Sequence, residues 1–316
     1  MVSGFDREPQ LNIDASLLLQ AAQAAAGGQQ YPAATLYLVA TPIGNLADLS
    51  LRAIQALSLA DALACEDTRQ GGGLLRHLGL HKPLIALHQH NEREASAAVI
   101  ARLAAGERVA YASDAGTPAI SDPGAVLVQE VVSAGYRVLP LPGPSSAVTA
   151  LSVAGDTAAT GFAFAGFMPT KAGERRMALQ AVLAAERQSQ VVFEAPHRIV
   201  DLIALLAELA PMRSVTVCRE LTKQFESIHT AEAAALPAWL AADAQRQRGE
   251  FVLVLHAAAP QAAAEDDLPA EALRVLALLV AALPLKQAVA LAAQISGAPR
   301  NRLYDAGLKL KNGGDE

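Results

Sequence analysis

From Leu36 onward, short continuous apolar runs alternate with stretches whose apolar positions recur at helical spacing. The runs Leu36–Ala40, Ala62–Cys65, Leu84–Leu87, Arg108–Ala112 and Val138–Leu141 read as buried strands. Helices are predicted between them, around residues 50–59, 71–78, 93–105 and 124–134. Strands that alternate with helices predict a mostly parallel sheet covered on both faces. The turn Pro142-Gly143-Pro144-Ser145-Ser146 follows the fifth strand, and Ser145 or Ser146 is placed to cap a helix over Ala147–Val153. A second block has strand candidates Phe162–Phe167, Gln190–Glu194, Ser214–Cys218, Ile228–Thr230 and Glu250–His256. Its fewer clear crossovers predict a mixed sheet.

The ends read differently. Residues 1–34 join a polar start to Leu17–Ala26 and then to Gly27-Gly28-Gln29-Gln30, which predicts a flexible N-terminal extension with a helical turn or two. Residues 258–267 are rich in Ala, Gln and Pro and end in acids, as a linker does. Residues 268–316 are helical in pattern. There Lys286–Ile295, a break at Gly297 and Pro299–Leu310 predict a helix-turn-helix. The expected fold is therefore α/β: one α/β domain over 35–153, a second over 154–257, and a small helical domain at the C-terminal end.

Composition narrows the function. The chain has 316 residues and a net charge of −6, so any contact with nucleic acid must come from local patches. Aromatic residues are only 4%, which argues against base-stacking platforms as the main mode of RNA contact. The two cysteines, Cys65 and Cys218, lie in separate segments, which suits a reducing cytosol rather than a disulfide framework. Neither a membrane span nor a secretory signal is indicated, so a cytoplasmic protein is expected.

The loop Ser113–Gly124 is the most informative stretch: it follows a strand and carries two Gly, two Pro and two Asp. Such loops at the carboxyl end of strands in α/β sheets hold ligands. Thr41-Pro42-Ile43-Gly44-Asn45-Leu46 follows the first strand and offers another wall; it is not GxGxxG, so the dinucleotide fingerprint is absent. Gly71-Gly72-Gly73 lacks the Lys-Ser/Thr of a phosphate loop. Cys65-Glu66-Asp67-Thr68-Arg69 ends the second strand with paired acids beside an Arg, a set able to hold a hydroxyl or take its proton. His88-Gln89-His90-Asn91-Glu92 has His-x-His spacing without a third ligand, so no metal site is expected. Glu194-Ala195-Pro196-His197-Arg198 sits at another strand end, where His197 and Arg198 would leave a helix start and meet phosphate. The loop Gly166–Arg176 carries Lys171, Arg175 and Arg176. In the tail, Lys286, Arg300, Arg302, Lys309 and Lys311 stand against the single acid Asp305 over residues 284–312.

Taken together, Val39–Asn45, Cys65–Arg69, His90–Glu92, Ser113–Gly124, Pro140–Ser145, Gly166-Phe167, His197-Arg198 and Arg219–Lys223 resemble the small-subunit ribosomal RNA methyltransferase I type of the tetrapyrrole methylase superfamily. The resemblance runs from about Leu36 to Lys311. It implies two α/β domains with S-adenosyl-L-methionine folded into the cleft between them, and a homodimer. It implies methyl transfer to the ribose 2′-oxygen of a decoding-region cytidine in 16S rRNA, assembled in the small ribosomal subunit. By position, the implied cofactor contacts are Ile43, Gly44, Asn45, Ser113, Asp114, Ala115, Thr117, Pro118, Ser121, Asp122, Ser145, Ser146, Phe193 and Glu194, with Ile228–Thr230 completing the pocket. Asp114 can take the cofactor's ammonium or a ribose hydroxyl. Glu66, Asp67 and His90 are candidate bases. Arg69, Arg93, Lys171, Arg175, Arg176, His197, Arg198, Lys286, Arg300, Arg302 and Lys309 are candidate RNA contacts. Two alternatives stay open at this point: a relative acting on a small tetrapyrrole-like acceptor, and a nucleic-acid-binding module without catalysis.

Overall fold

Side chains that alternate along β-strands decide the first half of the molecule. The computed structural model describes residues 14–258 and 268–312, and the chain divides after Ala257 into two units. In chain order the first unit opens with α1 (Ala15–Ala26), β1 (Thr35–Val39), α2 (Leu51–Leu59), β2 (Ala62–Cys65), α3 (Thr68–His77) and β3 (Leu84–Ala86). It continues with α4 (Glu92–Ala104), β4 (Arg108–Ala112), α5 (Ala125–Ser133), β5 (Arg137–Leu141) and α6 (Ser146–Ala154). The five strands form a sheet of order β3-β2-β4-β1-β5, with every pairing parallel. Neighbouring residues feed opposite cores: Tyr37 and Leu63 pack on one face, Leu36 and Ala64 on the other. Burial on both faces explains why these strands read as unbroken apolar runs.

The second sheet follows: β6 (Phe162–Phe167), α7 (Ala172–Leu183), β7 (Ser189–Glu194), α8 (Ile199–Leu209), β8 (Ser214–Arg219), β9 (Ser227–Glu232), α9 (Leu236–Ala241) and β10 (Phe251–Leu255). Its order is β6-β7-β10-β8-β9. Only β6 and β7 are parallel; the remaining pairs are antiparallel, so the sheet is mixed. Ala147 and Ala150 of α6 pack with Val191 and Val254 of this sheet, and Ile43 from the loop after β1 joins the same cluster. The loops of the first sheet are thereby pressed against the second.

Two expectations are corrected. Residues 15–26 are not a loose extension. Asp14 caps α1 through the Ser16 N–H, Ala22 and Ala26 are buried, and Gln55 donates to Gln23 at 2.8 Å; residues 1–13 lie outside the described residues. Arg175 and Arg176 belong to α7 rather than to a loop. A Gly and three charged residues in its first turns, Gly173-Glu174-Arg175-Arg176, dilute the apolar period there.

The second unit holds α10 (Ala270–Ala282), α11 (Leu285–Ser296) and α12 (Arg300–Asn312). Leu276, Val289, Ala292 and Leu303 form its core. Gly297 caps α11 at φ 70°, a left-handed turn that glycine adopts without penalty and that sends α12 back across α11. The predicted linker lies largely outside the described residues.

Candidate functional site

Strands β1 and β4 are neighbours, so their following loops emerge side by side at the carboxyl edge of the first sheet. They are locked there. Thr41 N–H donates to the Gly116 carbonyl at 2.9 Å and Gly116 N–H donates back to Thr41 at 3.0 Å. Thr41 Oγ1 also donates to the Ser113 carbonyl. Thr117 Oγ1 donates to the Pro144 carbonyl at 3.0 Å, which ties in the loop after β5.

The rest of the β4 loop is held in a costly shape. Ala119 and Ser121 have φ of 65° and 63°, and each left-handed non-glycine residue costs roughly 1–2 kcal/mol. The loop end is pinned by Tyr111, whose hydroxyl donates to the Pro123 carbonyl, and by Glu92, whose Oε2 accepts from Gly124 N–H at 3.2 Å. Gly124 is required twice over. Its φ is 124°, and a Cβ there would stand 2.5 Å from Tyr111 Cε1.

These loops wall a cavity of about 390 Å³ with the second sheet on its other side. Ile43, Ala115, Thr117, Ser121, Asp122, Ser145, Ser146, Phe193 and Glu194, all named from the sequence, line it. Gly116, Ile120, Ala195, Pro196, Phe167 and Leu221 also line it, from segments quoted in the sequence but not named as contacts, and Glu250, Phe251 and Val252 escape the sequence reading. Position at the start of β10 is the signal that marks these last three. Ile228–Thr230 does not line this cavity, because β9 is the edge strand farthest from β6. Asn45 and Pro118 do not line this cavity: Asn45 caps the short turn after β1 through Ala47 N–H. Gly44, Ser113 and Asp114 face a separate cavity of about 360 Å³ beside β2 and α3.

Charge within the first cavity is one-sided. Asp122, Glu194 and Glu250 line it and no Lys, Arg or His does, although Glu194 is paired with Arg198 and Glu250 with Lys223 at 2.8 Å from behind the wall. Burial, with Glu66 and Asp114 nearby, pushes the Asp122 carboxyl up to about 6, against an opposing hydrogen bond from Ser113. Glu66 is also raised, by burial and then by Asp114. The Glu194 carboxylate has no solvent exposure; Arg198 Nε lies 3.0 Å from it. Arg198 Nη2 donates to the carbonyls of Met168 and Pro169, so one guanidinium holds the ends of β6 and β7 together.

This arrangement places the other candidate side chains. Arg198 is inside, serving Glu194, and Arg175 is buried beside Asp201, so neither presents a free cation to RNA. Arg176 pairs with Glu208 at 2.7 Å and Lys171 with Glu174 at 3.0 Å. Asp67 caps α3, pairs with Arg69 at 2.6 Å, and is held at about 2 by that guanidinium, which makes it a poor proton acceptor. His90 is exposed and lines neither cavity, as are Arg93 and His197. Among the described residues no group of three or more His, Cys, Asp or Glu is arranged to hold a metal. In the second unit, Lys286 and Arg300 line one depression with Tyr304. Lys309 is exposed in the last turn of α12, and Arg302 is half-buried.

Residues 35–237 match the family described as Tetrapyrrole (Corrin/Porphyrin) Methylases, and residues 266–311 match the RsmI C-terminal HTH domain. The chain is 48% identical over 275 residues to Ribosomal RNA small subunit methyltransferase I of Escherichia coli O157:H7, covering 87% of this chain and 94% of that one. It is 47% identical to the protein of the same name from Pseudomonas aeruginosa, covering 88% and 98%. Among solved structures it resembles the methyltransferase CobJ, with TM-score 0.53 at 17% identity over 71% of this chain and 94% of that one. It also resembles diphthine synthase, with TM-score 0.52 at 15% identity over 70% and 90%. At such identities these two speak for the fold alone.

Proposed function

The chain belongs to the tetrapyrrole methylase family, in the group named ribosomal RNA small subunit methyltransferase I, and from that membership we propose that it uses S-adenosyl-L-methionine to methylate the ribose 2′-oxygen of a decoding-region cytidine in 16S rRNA. The observation that carries the cofactor half is the first cavity. A sulfonium and an ammonium are cations, and the cavity lining holds the Asp122 carboxyl, the ion-paired Glu194 and Glu250, and no cationic side chain. Phe167 and Phe193 supply aromatic faces, their rings 5.5 Å apart. The first turn of α6 at Ser145-Ser146, where no side chain caps the free N–H groups, suits a carboxylate. The residues present therefore fit the cofactor, which when bound supplies a methyl group already activated on sulfur.

The chain's own work is alignment and proton removal. The doubly bonded Thr41–Gly116 bridge and the Glu194–Arg198 pair fix the two walls, so little freedom remains to be lost as acceptor and cofactor are brought together. A ribose hydroxyl is a weak acid, and its proton needs an acceptor. Asp122 lines the cavity and is ionised above about pH 6, within reach of neutrality. We assign it that role in place of Asp67 and His90, with Glu66 behind it as the neighbour that raises its basicity. The second unit, with Lys286, Arg300 and Lys309 on its surface, gives the acidic chain a local positive surface for RNA phosphate. Neither a small tetrapyrrole acceptor nor a non-catalytic module is favoured beside relatives of this identity. The homodimer and the cytoplasmic setting implied by the resemblance belong to the same reading. Calorimetric titration of the full chain with S-adenosyl-L-methionine tests it: saturable binding at one site is expected, and no heat of binding would remove the enzyme reading.

A further inference from the structure

The second cavity shares walls with the first and holds Gly44, Ser113 and Asp114, which the resemblance counts among the cofactor contacts but which lie outside the first cavity. Ile43 and Ala115–Thr117 face the first cavity; Gly44, Ser113 and Asp114, from the same two loops, face the second. Its remaining wall is the end of β2 and one face of α3 along its whole length, with Gln70, Leu74 and His77. None of its lining residues is Lys or Arg, so it is not built for a phosphate. It combines an acidic acceptor, an amide and an imidazole with the apolar faces of Pro42, Leu46 and Leu74. That is the make-up of a site for a flat, neutral, hydrogen-bonding group.

Helix α3 shows that the space is reserved. It carries Gly71-Gly72-Gly73 in its interior, where glycine is the least favourable residue short of proline. Packing explains Gly71, because a Cβ there would sit 2.5 Å from Cys65 Sγ. Packing does not explain Gly73, where the nearest atom to a Cβ would be Arg76 Nη2 at 3.8 Å. Gly73 lines the cavity, and a side chain there would take up room that is now open.

Resting on the function proposed above, we propose that this second cavity receives the nucleobase of the acceptor nucleotide, turned out of its stack, and that Asp114 and Gln70 read its edge. The acceptor oxygen must come within contact of the cofactor's methyl, and this is the cavity built from the same two loops. Enzymes that modify one nucleotide of a folded nucleic acid commonly extrude it into such a pocket. The Asp114 carboxylate is fixed by Asp67 N–H at 3.0 Å and by Gln70 Nε2 at 3.4 Å. A carboxylate accepts from the exocyclic amine of cytosine and repels the carbonyl that uracil carries at that place. The cavity thus selects the base while the first cavity holds the cofactor.

The test uses the full chain with Gly73→Leu and, as a milder variant that suits a helix better than the native residue, Gly73→Ala. Affinity for S-adenosyl-L-methionine is read by calorimetry, and methyl transfer is read on small ribosomal subunits lacking the modification. The expected result is cofactor affinity within about twofold of the parent, with kcat/KM for transfer reduced at least about 100-fold by Leu and by a smaller factor by Ala. Transfer by Gly73→Leu at the parent rate would overturn the assignment, and so would loss of cofactor affinity in step with transfer. The parent chain in the same assay carries the functional reading, and the variants carry the cavity. Asp114→Asn adds a readout of base choice: transfer to a cytidine target falls relative to a uridine target at the same position, and an unchanged ratio contradicts the role of Asp114.

Discussion

In the proposed mechanism, Asp122 ties stability to chemistry. Below about pH 4 its carboxyl is protonated in the folded and the unfolded chain alike, and burial costs nothing. As pH rises from about 4 to about 6, the unfolded chain releases the proton while the fold retains it, so stability falls. Above about 6 the buried charge is present and its full cost stands. Asp122→Asn is therefore expected to melt higher than the parent at about pH 8 and equally at about pH 4, as followed by circular dichroism. The same variant should lose about 10²- to 10⁴-fold in kcat, the usual size of a proton-transfer contribution. A higher melting point with unchanged kcat would leave the stability argument standing and remove Asp122 from catalysis. The sequence reading placed Asp122 in the site and assigned the base role to Glu66, Asp67 or His90. Spacing shows that acids stand at a strand end; it does not show that Arg69 has already claimed Asp67.

At the scale of elements, the site is a set of strand ends fastened by few bonds. Arg198 joins the ends of β6 and β7 through Glu194 and two carbonyls. Removing one partner of a buried pair leaves a charge without compensation and costs about 3–5 kcal/mol. Arg198→Ala is expected to lose about that much stability in urea unfolding and to weaken cofactor binding, because Glu194 lines the first cavity. Loss of RNA affinity with stability and cofactor binding intact would instead return Arg198 to the surface role read from the sequence. β2 and β4 are legible in the sequence to the residue, because burial on both faces writes an unbroken apolar run with charged or polar ends. α7 and α1 are not. The first turns of α7 are charged, and α1 fully buries only Ala22 and Ala26 while Leu18 and Leu19 are half-buried, which leaves a weak period. The second cavity was invisible for another reason. Its walls come from the loops after β1 and β4, from β2 and from α3, and nothing in a linear chain says that Gly73 will face Asp114.

At the scale of the molecule, work is divided between two units. The acidic first unit carries both cavities, and the helical second unit carries Lys286, Arg300 and Lys309 on an exposed surface. The central claim is methyl transfer to a ribose oxygen of small-subunit RNA, with the second unit required for the RNA and not for the cofactor. The most direct measurement is transfer of tritiated methyl from S-adenosyl-L-methionine to small subunits lacking the modification, by the full chain and by a chain ending at Asp267, followed by nuclease mapping and nucleoside analysis. The account predicts that the full chain labels one cytidine, as the 2′-O-methyl nucleoside, and that the shortened chain binds the cofactor and transfers nothing. Label on a base, label absent from the RNA, or full transfer by the shortened chain would contradict it.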